Sequence, residues 1–472
     1  MKTQLNQMMQ HFEVDLPMLQ RLIQIALSKG GDYADLYFEH SDFQELSLRD
    51  GTVNQVASHV DYGMGVRTCF EEQTGYAYTE TTVVADMERA AQTAAAIVSH
   101  HRPVVAVAPK QILLPQYYPV LIPLETYPLI DKIPWLQTLH HAIFAADPRV
   151  SKVMARIAHS TSRILFFNAL GDLCCDIRPM ITLSVTCIME HQGRLENATL
   201  SRSMRMGAEF LQAELIEELA KEVVARTSFL FEAVQPKGGE MAVVMGAGGS
   251  GILLHEAIGH AFEADFNRKQ TSIFCNKLHQ QICRKGINVV DDGTIIANRG
   301  AVNVDDEGVV GQKTYMVQDG LLNSYLHDRM SARWYQTAPT GNGRRESFRY
   351  MPIPRMRATY MENGEASEAD LIAQVKRGVF VEHFSNGQVQ IGAGDFTFYV
   401  KAGYLIENGK RTQPIKDLNI IGNGPQALAD IMLVANNGQI DNSSWTCGKG
   451  QSCPVSCGMP SVLIQKLTVG GV

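Results

Sequence analysis

Apolar side chains recur every three to four residues along LPMLQRLIQIALSKGG, residues 16 to 31, and the run stops at Gly30-Gly31. That spacing predicts an amphipathic helix closed by glycine. The pattern then turns to alternation through ADLYFEHSDFQELSLRDGTVNQVASHVDYGMGVRTCF, with Asp50-Gly51 marking a hairpin turn. A second helix is expected across ADMERAAQTAAAIVSHH, then a proline-bearing connector from Pro103 to Pro134, then a helix near residues 135 to 146. Another meander follows in SKVMARIAHSTSRILFFNALGDLCCDIRPMITLSVTCIMEHQG, and a helix along GAEFLQAELIEELAKEVVART closes this half. Helix, hairpins, helix thus occurs twice, the layout of an old duplication without a residue-level repeat to mark it.

From about residue 236, glycine and asparagine become frequent and short alternating runs dominate, as in FTFYVKAGYLIENGKRT with its Asn408-Gly409 turn. Helical patterns are few: one around residues 253 to 266, one near 368 to 377, and one after Gly424-Pro425. Runs of strands, rather than strict strand-helix alternation, predict an α+β class. Two domains are expected, an α/β unit of helices and antiparallel hairpins over residues 1–235 and a β-rich unit over 236–472.

Composition narrows the function. A chain of 472 residues that is 45% hydrophobic can bury large cores. Its formal charge of -7, from 42 basic and 49 acidic residues, argues against a nucleic-acid partner. The N-terminal stretch has no apolar core with a cleavage site, and no run of 18 apolar residues occurs, so neither export nor a membrane partner is expected. Nine scattered cysteines do not form a disulfide framework, which points to a reducing, cytoplasmic setting.

Candidate chemistry concentrates in LLHEAIGHAFEADF, residues 253 to 266. Zinc peptidases of the H-E-x-x-H type set two histidines four apart on one helical face. Here His255 and His260 are five apart, which on a regular helix separates them by roughly 140°. A π-type turn at Gly259 would absorb the additional residue and bring His260 back beside His255. Glu256 would then serve as the base for an attacking water. A third ligand must come from elsewhere, and WTCGKGQSCPVSCGMP offers Cys447, Cys453 and Cys457. Spacing does not choose among them; they also read as a separate structural site or as buried small side chains. Glu263, three residues past His260, could orient a ligand or be a surface charge.

A rival reading lies just upstream. Gly246, Gly248 and Gly251 satisfy G-x-G-x-x-G between an apparent strand and a helix, as a dinucleotide-binding turn requires. A second strand ending in an acid about 20 positions later is missing, which favours glycines serving tight packing. The arginines Arg344, Arg345, Arg349, Arg355 and Arg357 are interleaved with aromatics, and structural ion pairing is favoured over substrate contact. The acidic pairs in VVDDG and VNVDDEG are expected to be solvated turns rather than cation sites.

The blocks LLHEAIGHAFEADF, DDGTIIANRGAVNVDDEG, TGNGRRESFRYMPIPRMRATYMENG, AGYLIENGK, IIGNGPQAL, TCGKGQS and the terminal LTVGG resemble the TldD/PmbA peptidase family, in its TldD-like, metal-carrying branch. Two departures are the cysteines at 453 and 457 and Gln390 in NGQVQIGAGDF. The resemblance implies His255, His260 and Cys447 as ligands of zinc, Glu256 as catalytic base, and a barrel-like C-terminal domain. It also implies a dimer, either with a second copy or with a PmbA-like subunit lacking the motif, and extended peptide substrates. The expected function is therefore a cytoplasmic zinc metallopeptidase hydrolysing amide bonds in peptides or unfolded segments. The alternatives are a noncatalytic peptide-binding or assembly subunit with a structural metal, and a dinucleotide-dependent oxidoreductase using the glycine turn.

Overall fold

The computed structural model of the protein describes residues 2–97 and 106–471. The last residues of the expected second helix, 98–101, and Pro103 lie outside them. The N-terminal half is built on a seven-stranded sheet in the order Gln73–Thr79, Thr52–Phe70, Tyr33–Arg49, Val150–Asn168, Asp172–His191, with Lys110–Gln111 and Arg194–Met204 both paired to the last of these. The two predicted meanders therefore form one sheet. Their first strands join antiparallel, from Asp35 opposite Asn168 to Arg49 opposite Met154. Asp50 and Gly51 both adopt positive φ, as the two-residue hairpin requires.

Strand alternation decides what each face of this sheet touches. Leu36, Phe38, Leu46 and Leu48 share one face. The first pair packs with helices Leu16–Leu27 and Val84–Ala95, the second with Ile133–Ala146 and Ala213–Glu232. Tyr37 points the other way and packs with Val304 and Phe348 of the C-terminal half. Polar groups follow it: Glu39 accepts from the Phe348 N–H at 2.8 Å, and Arg67 ion-pairs with both Asp35 and Glu307.

In the C-terminal half, Gly239–Met245, Arg377–Val389, Asp395–Glu407, Leu418–Asn423 and Val462–Gly470 pair edge to edge and close on themselves, because Arg377–Val389 bonds to both Gly239–Met245 and Asp395–Glu407. This is a five-stranded barrel, and closure leaves these strands no open ladder. Its core of Val243, Val381, Phe398 and Ile464 continues into Leu253, Leu254, Ala257 and Phe262 of the histidine segment. A second, six-stranded sheet contains Val289–Asp292, Ala358–Met361 and Ser456–Met459 and ends on Gln439–Asp441. Among the described residues, no helix is long and apolar enough to cross a membrane.

The glycine turn behaves as packing. Gly248 has a φ of 79°, and a Cβ on Gly251 would lie 2.3 Å from the Gly458 nitrogen, so another strand's backbone fills the space beside it. The next strand in sequence, Val289–Asp292, belongs to the other sheet, so the two-strand unit a dinucleotide site needs is not formed.

The acidic pairs correct the sequence expectation. Asp291, Asp305, Asp306 and Glu307 are buried, not solvated. They answer the arginines: Asp291 accepts from the Arg357 N–H at 2.7 Å and its Nε at 2.8 Å, and Asp306 accepts from Arg178 and from the Arg345 N–H. Removing one partner of such a pair strands a charge in a low-dielectric interior. Asp291→Ala should cost about 3–5 kcal/mol of stability, measured by urea denaturation at neutral pH.

Candidate metal centre

The chain enters the site as one helical turn, Ile252–Leu254, widens to a π-helical turn over His255–Gly259, and tightens over His260–Phe262. The His260 N–H bonds to the His255 carbonyl, an i to i+5 link that takes up one additional residue. The two imidazoles consequently stand together, ring centroids 5.0 Å apart and inclined at 81°. Gly259 does not supply unusual backbone freedom, for its φ and ψ are −58° and −49°, ordinary helical values. It supplies closeness instead: a Cβ there would lie 2.3 Å from Met356 Sδ and 3.1 Å from the Leu254 carbonyl.

The third member arrives from almost two hundred residues away. Thr446–Gly448 and Ser452–Pro454 form a small hairpin, and Cys447 Sγ sits 3.3 Å from His260 Nε2. Donor atoms of His255, His260 and Cys447 all fall within 4.8 Å of one another. Their exposures are 2%, 4% and 4%. The other candidate thiols are elsewhere: Cys453, opposite Cys447 in the hairpin, lies 3.5 Å from an Arg355 Nη, and Cys457 is buried in the six-stranded sheet.

Burial lowers the pKa of the His260 imidazole, but Glu263 and Cys447 outweigh it and raise it well above the usual range. His260 Nδ1 faces Glu263 Oε2 at 2.9 Å, which aims Nε2 at the cysteine and would keep the remaining proton on Nδ1 when a metal takes Nε2. Burial would raise the Glu263 carboxyl, but Lys449, 3.1 Å away, and His260 outweigh it and hold it at about 2. Burial likewise opposes ionisation of Cys447, yet the imidazoles of His255 and His260 bring its thiol down to about 4. Arg355 donates to the Cys447 carbonyl at 2.6 Å, and Lys449 anchors the same hairpin to Asp265 at 2.7 Å. Arg355 was expected in a structural ion pair and instead holds the hairpin backbone; Lys449 had gone unremarked in the sequence, though it stands in TCGKG, two residues beyond the cysteine.

Both ring nitrogens of His255 are buried without a hydrogen-bond partner. Such groups are costly unless a ligand satisfies them. Two imidazoles and one low-pKa thiol form a borderline-soft donor set that suits zinc and leaves a fourth tetrahedral position open. Glu256 is half-buried, and its side chain makes no hydrogen bond or ion pair among the described residues, so no protein group occupies its carboxylate.

Comparisons with known proteins place the chain among metallopeptidases. Residues 238–471 match the family described as PmbA/TldA metallopeptidase C-terminal domain, residues 34–98 its domain 1, and residues 122–228 its central domain. A protein of Haemophilus influenzae named metalloprotease TldD homolog is 37% identical over 96% of both chains. A zinc metalloprotease TldD homolog of Saccharolobus solfataricus is 33% identical over 50% of this chain and 53% of its own. In fold, the chain is similar to the crystal structure of a putative modulator of DNA gyrase from Thermotoga maritima, with a TM-score of 0.78 and 20% identity over 96% of this chain and 99% of that one. TldE from Thermococcus kodakarensis is similar at a TM-score of 0.73 and 16% identity, over 96% and 100%.

Glu263 holds the orientation of the His260 ring through Nδ1, so its loss is expected to weaken metal binding without unfolding the chain. Glu263→Gln should lower zinc affinity by about 10–100-fold, measured by competition with a chromophoric chelator.

Proposed function

The chain belongs to the PmbA/TldA metallopeptidase family, and from that premise we propose that it hydrolyses amide bonds in peptides or unfolded segments, with zinc held by His255, His260 and Cys447. The observation that carries this reading is the convergence of three donor side chains around His255 nitrogens that no protein group satisfies. The chemistry zinc supplies there is Lewis acidity toward a scissile carbonyl and a water. Glu256, on the residue after the first ligand, takes the proton of the attacking water and passes it to the leaving amine. Glu263 keeps His260 presenting its lone pair, and Arg355 and Lys449 keep the cysteine hairpin from swinging away.

The substrate we propose is an extended segment that adds as a strand to a C-terminal sheet, reading backbone more than side chains. Gln439–Asp441, at the end of the six-stranded sheet, is one edge available for it. A dimer, of two copies or with a PmbA-like subunit, is part of the proposal and is checked by light scattering coupled to size exclusion. Nine free thiols support a reducing, cytoplasmic setting. A second reading keeps the metal for stability alone and is favoured by the depth at which the three ligands lie.

Two variants separate these readings. Cys447→Ser should lower the zinc found per chain by elemental analysis while the wild type retains it. Glu256→Gln should retain zinc and lose about 10²–10⁴-fold in turnover of an unstructured peptide. Turnover unchanged in Glu256→Gln removes that residue from the mechanism, and a zinc-loaded wild type that cleaves nothing supports the structural reading.

A further inference from the structure

Behind the hairpin that presents Cys447 lies a cavity of about 420 Å³, between the outward face of the N-terminal sheet and the C-terminal half. The cross-strand partners Thr446 and Pro454 line it, while Cys447 and Cys453 alternate to the opposite side. The cavity is thus separate from the metal centre and shares one wall with it.

Its charge does not balance. Arg156, Arg178 and Arg345 at its edge are matched by Glu45, Asp176 and Asp306, and Asp35. Arg205, Arg299 and Arg344 are not: among the described residues, no carboxylate lies within ion-pairing distance of any of them. Arg205 is 5% exposed; one Nη reaches the Pro179 carbonyl at 3.5 Å, and its Nε has no partner at all. Arg299, 8% exposed, donates to the Trp445 carbonyl and to the Ser203 and Thr446 hydroxyls. Arg344, 4% exposed, donates to the Met356 and Pro454 carbonyls. Every acceptor is neutral. Burial, with Arg178 and Arg344 adding to it, pushes Arg205 down to about 10; burial, with Arg205 and Arg344, does the same to Arg299. At neutral pH both therefore stay charged, so like charges gather on one cavity wall; Arg205 lies over the Tyr118 ring, 5.4 Å from its centroid, and an anion in the cavity would offset the remaining repulsion.

None of the carboxylates on the wall comes within ion-pairing distance of these three arginines. Glu39 is taken by Ser41 and the Phe348 N–H, Asp306 by Arg178 and Arg345, and Glu346 by the Ser452 N–H. We propose that the cavity is an oxyanion site in which Arg205, Arg299 and Arg344 hold a carboxylate or phosphate group, guanidinium forks donating to its oxygens. The anion comes either from the carboxyl end of a peptide or from free phosphate.

Calorimetric titration of the full chain, in buffer free of phosphate and sulfate, tests this without relying on turnover. Inorganic phosphate should bind one per chain and raise the Tm. Arg205→Gln and Arg299→Gln should each weaken that binding about tenfold or more, with zinc content and circular dichroism unchanged. Arg205→Lys, which keeps the charge, should recover part of it. In phosphate-free buffer Arg205→Gln should have a higher Tm than the wild type, because an unanswered charge has gone. In a Glu256→Gln background, an unstructured peptide is titrated as its free acid and as its amide. Acid binding that exceeds amide binding and is displaced by phosphate assigns the site to a peptide end; equal binding of the two, with phosphate bound, assigns it to the free anion. If neither phosphate nor the acid binds, or if folded Arg205→Gln and Arg299→Gln bind as the wild type does, the proposal fails.

Discussion

One backbone hydrogen bond, from the His260 N–H to the His255 carbonyl, sets where everything else in the centre must go. In a regular helix His260 would point well away from His255; the wider turn returns it to the same side. The apolar residues around that turn, Leu253, Leu254, Ala257 and Phe262, are part of the barrel core, so the widened geometry is held by packing against rigid strands. Met356 closes over Gly259, which explains a glycine at a position whose dihedral angles any residue could adopt.

The cysteine reaches this turn through a chain of charge-assisted contacts rather than through apolar packing. Arg355 grips the backbone of the hairpin at Cys447, and Lys449 reaches both Asp265 and Glu263, the latter being the partner of His260. A shift of the hairpin would therefore disturb the thiol and the imidazole together. Such coupling places donors with an accuracy that loops alone do not give.

The N-terminal sheet contributes more than support. Its helix-free face meets the C-terminal half through buried carboxylates and arginines, Asp35 with Arg67 and Glu307 among them. Most of those charges cancel at contact distance. Where Arg205, Arg299 and Arg344 meet, they do not, and the imbalance sits against the wall of the hairpin that carries Cys447.

Much of this was legible in one dimension. The helical spacing of residues 16 to 27, the turns at Asp50-Gly51 and Asn408-Gly409, and the change to short strands after residue 236 follow from local preference, which needs no distant partner. The five-residue gap between the histidines likewise required a distorted turn if they were to meet. The sequence did not disclose that the two meanders share one sheet or that the acidic turns are buried beneath arginines, and spacing alone did not choose Cys447 over Cys453 and Cys457, a choice only the family resemblance made. Those outcomes depend on which strands pair and which face each side chain takes. Such choices are settled by contacts between residues hundreds of positions apart, and only the closed tertiary fold brings those contacts about.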